Sequence, residues 1–377
     1  MEEEKMSDTR IDFLYLNQMD MIQAGVLDMH HCIDVMEEMF DLMGKGDYLM
    51  GGPNRNSHGI EIIPPISSPF PNMPVSGPDR RFMAMPAYLG GRFNMTGCKW
   101  YGSNHDNISK GLPRSILTVT LNDTDTGAPL AFMAANQISS MRTGAIPGVG
   151  VRYLANPDSK VLSIIGCGVI NKSCVLAIKD ACPGIKRAQI YDLFTASSER
   201  MGAYVKELDE EVEVVICSSV EESVKGADII TVVTSGETWP YIDGDWLKKG
   251  VLVLCPSQTE FSKDCLLSIR KIIDNKSMHQ LWGELKGLDV DFHAEVGEVS
   301  SYMMEYIDEG LMTWDDVTNI GDIICGKEQG RKNHDEQILF CMGGMPVEDV
   351  AWGTEIYRSA LAKGIGTKLN FWEEPFR

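Results

Sequence analysis

Residues 161–192 constrain the fold more than any other stretch of this chain. They read V-L-S-I-I-G-C-G-V-I-N-K-S-C-V-L-A-I-K, break at Pro183-Gly184, and resume as R-A-Q-I-Y-D. The first run, Val161 to Ile165, is short, apolar and β-branched, which suits a strand buried on both faces. Gly166 and Gly168 follow, and a helical spacing of apolar residues (Val169, Val175, Ile178) begins at once. A second apolar run, 188–191, ends in Asp192. Strand, glycine turn, helix, strand and acid make up the unit that holds a dinucleotide.

Gly166 permits the tight turn. Gly168 lets a pyrophosphate approach the backbone at Val169 and Ile170, where a helix start offers free N–H groups and the positive end of its dipole. Asp192 is placed to accept hydrogen bonds from the adenosine ribose, and its charge repels a 2′-phosphate. NAD is therefore the expected cofactor, with NADP disfavoured. At the third small position of the motif stands Asn171, a departure that the sequence does not explain.

The same alternation continues on the C-terminal side. Strands are expected at 161–165, 188–191, 212–217, 229–234, 251–255 and 271–273, with helices between them. That pattern predicts a parallel sheet covered on both faces, a Rossmann-type domain over 151–330. Ligands of such sheets bind beyond the carboxyl ends of the strands. Thr234, Ser235 and Gly236 occupy one such end, and Cys255, Pro256 and Ser257 another. Thr313 is expected to cap a helix running toward Gly326.

Residues 1–150 read as a mixed α/β region. A Met-rich apolar stripe predicts a core-facing helix over 28–43. A long stretch rich in Pro, Gly, Ser and Asn, 49–86, carries Arg55, Arg80 and Arg81. Strand-like runs follow (F-M-A-M, T-G-C-K-W-Y-G, S-I-L-T-V-T-L-N-D), then a hairpin turn at 123–127, a strand at 129–134 and a polar helical stretch from Asn136. In 331–377 a strand is expected at 338–341 and a helix at 346–363, with Pro at its start and Gly364 beyond its end. The expected architecture is thus α/β, with the 151–330 domain set beside a substrate-binding and dimerisation domain built from 1–150 and 331–377.

Composition narrows the partners. The chain has 34 basic and 54 acidic residues, a net charge of −20, which argues against nucleic acid or an anionic membrane. No run approaches the ~18 apolar residues of a membrane span. The first ten residues lack the apolar core of a secretory signal. Ten Cys are scattered without a C-x-x-C pair; small buried thiols in a reducing cytoplasm are expected. The seven His show no ligand spacing, and no metal is expected.

Two cations stand out. Lys99 lies within a strand-like run between Gly97 and Trp100; it either snorkels from an exposed face or is a buried ammonium that grips a carboxylate or moves a proton. Arg142, in S-S-M-R-T-G-A, serves either an interdomain salt bridge or bidentate recognition of a carboxylate. Spacing alone leaves both pairs of alternatives open.

The segments G-C-K-W-Y-G-S-N (97–104), G-L-P-R-S (111–115), N-D-T-D-T-G-A-P-L (122–130), S-S-M-R-T-G-A (139–145), I-G-C-G (165–168), P-S-Q-T-E-F (256–261) and A-K-G-I-G-T-K-L (362–369) occur in that order. Together they resemble the ornithine cyclodeaminase/μ-crystallin family over roughly residues 30–370. The resemblance implies a homodimer, an NAD(P)-binding central domain, and a substrate-carboxylate grip on Lys99 and Arg142, with Arg55 as a third cation and Arg80 or Arg81 as competitors. It places Thr143 near the cofactor phosphates and Thr234 near the nicotinamide, and gives Lys99 the role of proton donor. One departure divides the family's activities. Cyclodeaminases carry an Asp two residues before the Pro of the P-S-Q-T-E-F-like segment; here the residue is Leu254, and the family's Lys in that segment is Gln258. A leucine cannot assist ammonia loss. The expectation is an NAD(P)-dependent reductase or dehydrogenase of an imino or amino acid. Ornithine cyclodeamination, with Glu260 in place of the lost Asp, is one alternative; a non-catalytic accessory subunit of an amine-oxidising system is the other.

Overall fold

The computed structural model describes residues 9–235, 238–287 and 292–376; Gly236 lies outside them. The N-terminal part supplies β1 (Ile11–Leu16), α1 (Gln18–Ala24), α2 (Met29–Lys45), β2 (Tyr48–Met50), β3 (Ile60–Ile62), β4 (Arg81–Leu89), β5 (Met95–Ser103), β6 (Ser115–Asn122) and β7 (Pro129–Ala134). With the last strand, β18 (Thr367–Trp372), these form a sheet in the order β18-β1-β7-β6-β5-β4-β2, with β3 added to β4. Burial alternates along β4 and β5, as the two-residue period of a half-covered sheet requires. One face is covered by α12 (Pro346–Lys363), which packs across β4, β5 and β6. Lys99 points to this covered face, so the snorkelling alternative falls away. The opposite face exposes Phe82, Trp100, Ile116, Phe132 and Tyr15.

The second sheet contains β8 (Val161–Ile165), β9 (Arg187–Tyr191), β10 (Glu213–Ile216), β11 (Ile229–Val232), β13 (Leu252–Cys255), β15 (Arg270–Ile273), β16 (Val317–Asn319) and β17 (Ile338–Cys341). Its order is β10-β9-β8-β11-β13-β17-β15-β16, with every neighbouring pair parallel. A small parallel pair, β12 (Tyr241–Ile242) and β14 (Glu260–Phe261), stands apart. Helices α4 (Val169–Ala181), α5 (Thr195–Leu208), α6 (Val220–Val224), α7 (Lys263–Ser268), α8 (Lys276–Trp282), α9 (Phe292–Val296), α10 (Ser300–Asp308) and α11 (Ile320–Ile324) complete this part.

Two expectations need correction. Ile338–Cys341 does not belong with the first domain: it is an interior strand of the second sheet, between β13 and β15. A four-residue apolar run buried throughout is satisfied by parallel partners on both sides, and only the chain beyond 341 returns to the first sheet. The helix expected from Thr313 to Gly326 is instead a 3-10 turn (Trp314–Asp316), β16 and the short α11. Pairing with β15 extends Val317–Asn319 where local propensity alone suggests a helix.

A helix of small residues leads from the first part into the second. In α3 (Asn136–Leu154), Gly144 meets Ser173 of α4, Gly148 meets Ile33 of α2 and Ala177, and Gly150 meets Phe340 and Leu254. A Cβ at Gly144 would run into the Ser173 backbone, and one at Gly148 or Gly150 would crowd the side chains of Ile33 or Phe340. The close approach carries Arg142 and Thr143, near the start of α3, over the second sheet's strand ends. Among the described residues, no helix is long and apolar enough to cross a membrane.

Candidate active site

The glycine turn has the geometry of a phosphate cradle. Gly166 has φ +80°, and a Cβ there would lie 2.1 Å from the Val233 carbonyl oxygen, so only glycine fits. Gly168 faces open space and begins α4 without a side-chain cap, leaving the N–H groups at Val169 and Ile170 to an incoming anion. Val169 is exposed and Ile170 half-buried. Asp192 closes the turn from β9: one carboxylate oxygen accepts from the Cys167 N–H at 2.8 Å, the other from Phe194 N–H at 2.9 Å. Thr234, past the end of β11, packs on Gly166 and has a buried hydroxyl without a hydrogen-bond partner among the described residues. Its N–H donates to Ser257 Oγ; Ser235 beside it is exposed. These residues fit a bound dinucleotide.

Asn171 is explained by the same turn. Its buried amide donates to the carbonyls of Ile165 (3.1 Å) and Gly166 (2.6 Å) and accepts from Thr231 Oγ1 at 3.0 Å. A small apolar residue would let helix and strand approach; Asn171 instead pins the helix to the strand end, bonding the Gly166 carbonyl and adding a second donor to the Ile165 carbonyl, which also accepts from the Val233 N–H.

Lys99 and Arg142 meet at α12. Lys99 Nζ lies 2.8 Å from Asp349 Oδ2, and Arg142 Nε donates to Asp349 Oδ1 at 3.2 Å. Arg142 Nη1 also donates to Glu348 Oε2. All four side chains are buried, with Lys99 2% and Arg142 5% exposed and both acids at 0%. One carboxylate thus bridges the two cations, which places them within reach of a single anionic group. Burial and the nearby Arg142 push Lys99 down to about 8 despite Asp349. Burial lifts Glu348 to about 7 against the pull of Arg142. For Arg142 burial is outweighed by Asp349 and Glu348, which hold it above its ordinary value. The consequences for stability have opposite signs. Glu348 weakens the fold as pH rises from about 4.5 to about 7, because the native state keeps a proton the unfolded state has lost. Lys99 strengthens it from about 8 to about 10.5, where the unfolded state holds the extra proton.

A cavity of about 110 Å³ opens beside this cluster, lined by Arg142, Thr143, Ile146, Pro256, Met342, Gly343, Gly344 and Glu348. That is room for three or four waters at ~30 Å³ each. Lys99 is not among the described residues that line it; its ammonium faces Asp349. Gly344 (φ +75°) comes so close to Arg142 that a Cβ would lie 2.8 Å from Nη1. Asp274, past the end of β15, fixes this loop by accepting from the N–H groups of Gly343 (2.7 Å) and Gly344 (3.1 Å), and also bonds His279 Nε2 at 2.7 Å.

His58 is a residue that sequence reasoning left isolated. Its Nδ1 donates to the Gly344 carbonyl at 2.7 Å. Burial, then Lys99 and Arg142, lower it to about 4, so the ring is neutral at pH 7. Arg55 stands exposed in a turn with φ +59°, while its neighbours Asn54 and Asn56 bond Ser277 and Asn275. Arg80 donates to the Val75 carbonyl; Arg81 pairs with Glu61 and Asp79 at 3.5 Å. None of the three lines the cavity, and only Arg81 is among the charges acting on His58. Leu254 is buried against α3 and offers no substitute for a carboxylate. Glu260 is engaged by the Tyr302 hydroxyl, and Gln258 donates to Ser301 Oγ at 3.0 Å. Glu348 and Asp349 lie in the first turn of α12, where nothing local marks them as site residues. Their pairing with Lys99 and Arg142 depends on long-range contacts.

Comparison with known proteins decides the family. The model of the ornithine cyclodeaminase/mu-crystallin family matches residues 26–364. The chain belongs to this family. It is 28% identical over 372 residues to N-((2S)-2-amino-2-carboxyethyl)-L-glutamate dehydrogenase of Staphylococcus aureus, covering 96% of this chain and 99% of that one. It is 28% identical over 296 residues to alanine dehydrogenase of Archaeoglobus fulgidus, covering 76% and 83%. Among solved structures, Δ1-pyrroline-2-carboxylate reductase of Thermococcus litoralis in complex with NADH and L-proline shares the fold with a TM-score of 0.76 at 24% identity, covering 94% of this chain and 99% of that one. Iminosuccinate reductase of Paracoccus denitrificans in complex with NAD⁺ does so with a TM-score of 0.77 at 18% identity, covering 95% and 99%.

The buried cluster makes Asp349 a structural as well as a site residue. Asp349→Ala leaves Lys99 buried without a counter-charge and is expected to lower unfolding free energy by about 3–5 kcal/mol. Urea denaturation at pH 7 measures this, and a loss below about 1 kcal/mol would mean that the pairing carries little weight.

Proposed function

We propose that this family member is an NAD(H)-dependent oxidoreductase that interconverts a small amino acid and its imino acid by hydride transfer at the substrate Cα. The observation that carries the reading is the meeting of Lys99 and Arg142 at one carboxylate, on the edge of a cavity walled by Pro256 and Met342 at the ends of β13 and β17. Bound nicotinamide supplies or accepts the hydride. The turn from Gly166 to Ile170 holds the cofactor's pyrophosphate, Thr143 lies toward its phosphates, and Thr234 and Ser235 flank the nicotinamide. Asp192 takes the adenosine ribose and selects NAD over NADP. Arg142 binds the substrate carboxylate through its planar fork. Asp349, itself paired with Lys99, holds the guanidinium in place. Burial excludes water from these contacts and strengthens them.

Leu254 supports this reading over ammonia-eliminating cyclisation, since a packed leucine can neither take nor give a proton. Relatives named dehydrogenase and reductase agree with it. The exposed apolar face of the first sheet, where Phe82 stacks with Trp100 and Tyr15 with Phe132, supports a homodimer through that face.

Activity is read from NADH oxidation with a panel of cyclic and acyclic imino acids. Wild-type protein is expected to turn over at least one of them. Arg142→Lys keeps the charge but loses the fork, and kcat/KM should fall at least ~10-fold; unchanged activity would remove Arg142 from the site. Ornithine with catalytic NAD⁺ should yield no proline or ammonia. Trp100→Glu places a charge on the proposed dimer face. Light scattering should then report a monomer; a dimer that survives would point to another interface.

A further inference from the structure

We propose that Glu348 is the proton-carrying residue at the substrate nitrogen; this rests on the oxidoreductase reading above. The cavity beside the charge cluster has two charged walls. Arg142 and Glu348 are its charged lining residues, while the remaining lining is Thr143, two glycines and apolar side chains. An amino acid carries the complementary pair, a carboxylate and an ammonium both bonded to Cα. With its carboxylate on Arg142, its nitrogen falls to Glu348.

Three observations single out this acid. Glu348 Oε2 bonds Arg142, but Oε1 is buried with no hydrogen-bond partner among the described residues. A buried carboxylate oxygen left without a partner is an acceptor waiting for a donor. Second, an arginine does not titrate, so Glu348 is the one acid–base group among the described lining residues. Lys99 is turned to Asp349, and the family's acidic position is Leu254. Third, burial lifts Glu348 to about 7, where a carboxyl exchanges protons near neutral pH. The charges acting on it are Arg142 from α3, Lys99 from β5, Asp349 from its own helix and Asp274 beyond β15. Neutral His58 lies next to the same cations.

In the oxidative direction the Glu348 carboxylate takes one proton from the substrate ammonium. The Cα–H electron pair leaves as hydride to NAD⁺, and the nitrogen lone pair closes the C=N bond. The products are the protonated imine, NADH and the Glu348 carboxylic acid, which later releases its proton. In reduction the acid returns that proton to nitrogen as hydride reaches Cα.

The test compares wild type with Glu348→Gln and Glu348→Asp by NAD⁺ reduction on the amino acid substrate from pH 5.5 to 9, and by inhibition with the matching 2-oxo acid, which lacks the nitrogen. Wild-type kcat/KM should rise with pH through an apparent pKa near 7. Glu348→Gln should lose about 100-fold or more in kcat and lose that limb, while the 2-oxo acid still inhibits within a few-fold. Glu348→Asp should keep the limb at a reduced rate. A Glu348→Gln enzyme that retains the limb, or one whose 2-oxo acid inhibition collapses along with its activity, would make Glu348 a counter-ion only and overturn the proposal. Wild type with no turnover on any amino or imino acid would overturn the oxidoreductase reading itself.

Discussion

Everything at this site depends on Asp349. Two cations and two acids lie buried at the start of α12, and Asp349 is the group that touches both Lys99 and Arg142. Moving such ions out of water costs several kcal/mol each, and their mutual attraction repays this only when geometry is good and each charge has a partner. The cluster meets that condition at every charge, and among the described residues Glu348 Oε1 is its one carboxylate oxygen with neither an ion pair nor a hydrogen bond. An anionic substrate entering beside Arg142 therefore joins a neutral set of charges, not an empty positive pocket. That argues for selectivity toward ligands that bring both signs.

The fold supplies the constraint from three directions. Lys99 comes from the covered face of the first sheet, Arg142 from the helix that joins the sheets, and both acids from the helix that returns after β17. The small residues Gly144, Gly148 and Gly150 let α3 lie against the second domain, so that Arg142 and Thr143 stand over its strand ends. Asp274 then ties the Gly343-Gly344 loop to that domain. Substrate grip and cofactor turn belong to different halves of the chain, yet they share these contacts.

Much of this was legible from residue order. The turn at Gly166, the strands 161–165 and 129–134 and the helix 346–363 follow from local composition, because short buried strands and capped helices leave strong local signals. Pairings at long range did not. Asn171 looks anomalous until Thr231 and the two strand-end carbonyls surround it. Residues 338–341 read correctly as a strand, but nothing local says which sheet receives it. Val317–Asn319 is extended by its partner β15 against a helical reading. Nothing local marks Glu348, Asp349 or His58 as site residues, because their partners are over two hundred residues away in the chain.

The central claim is that a substrate carboxylate enters a cluster already balanced by Glu348. Calorimetric titration of the NAD⁺-loaded protein with a 2-oxo acid, at pH 7.5 in two buffers of different ionisation enthalpy, tests it most directly. A carboxylate added beside Glu348 should raise that group's proton affinity, so binding should take up a fraction of a proton per site. Binding with no proton uptake, in wild-type protein that still recognises the 2-oxo acid, would contradict the account.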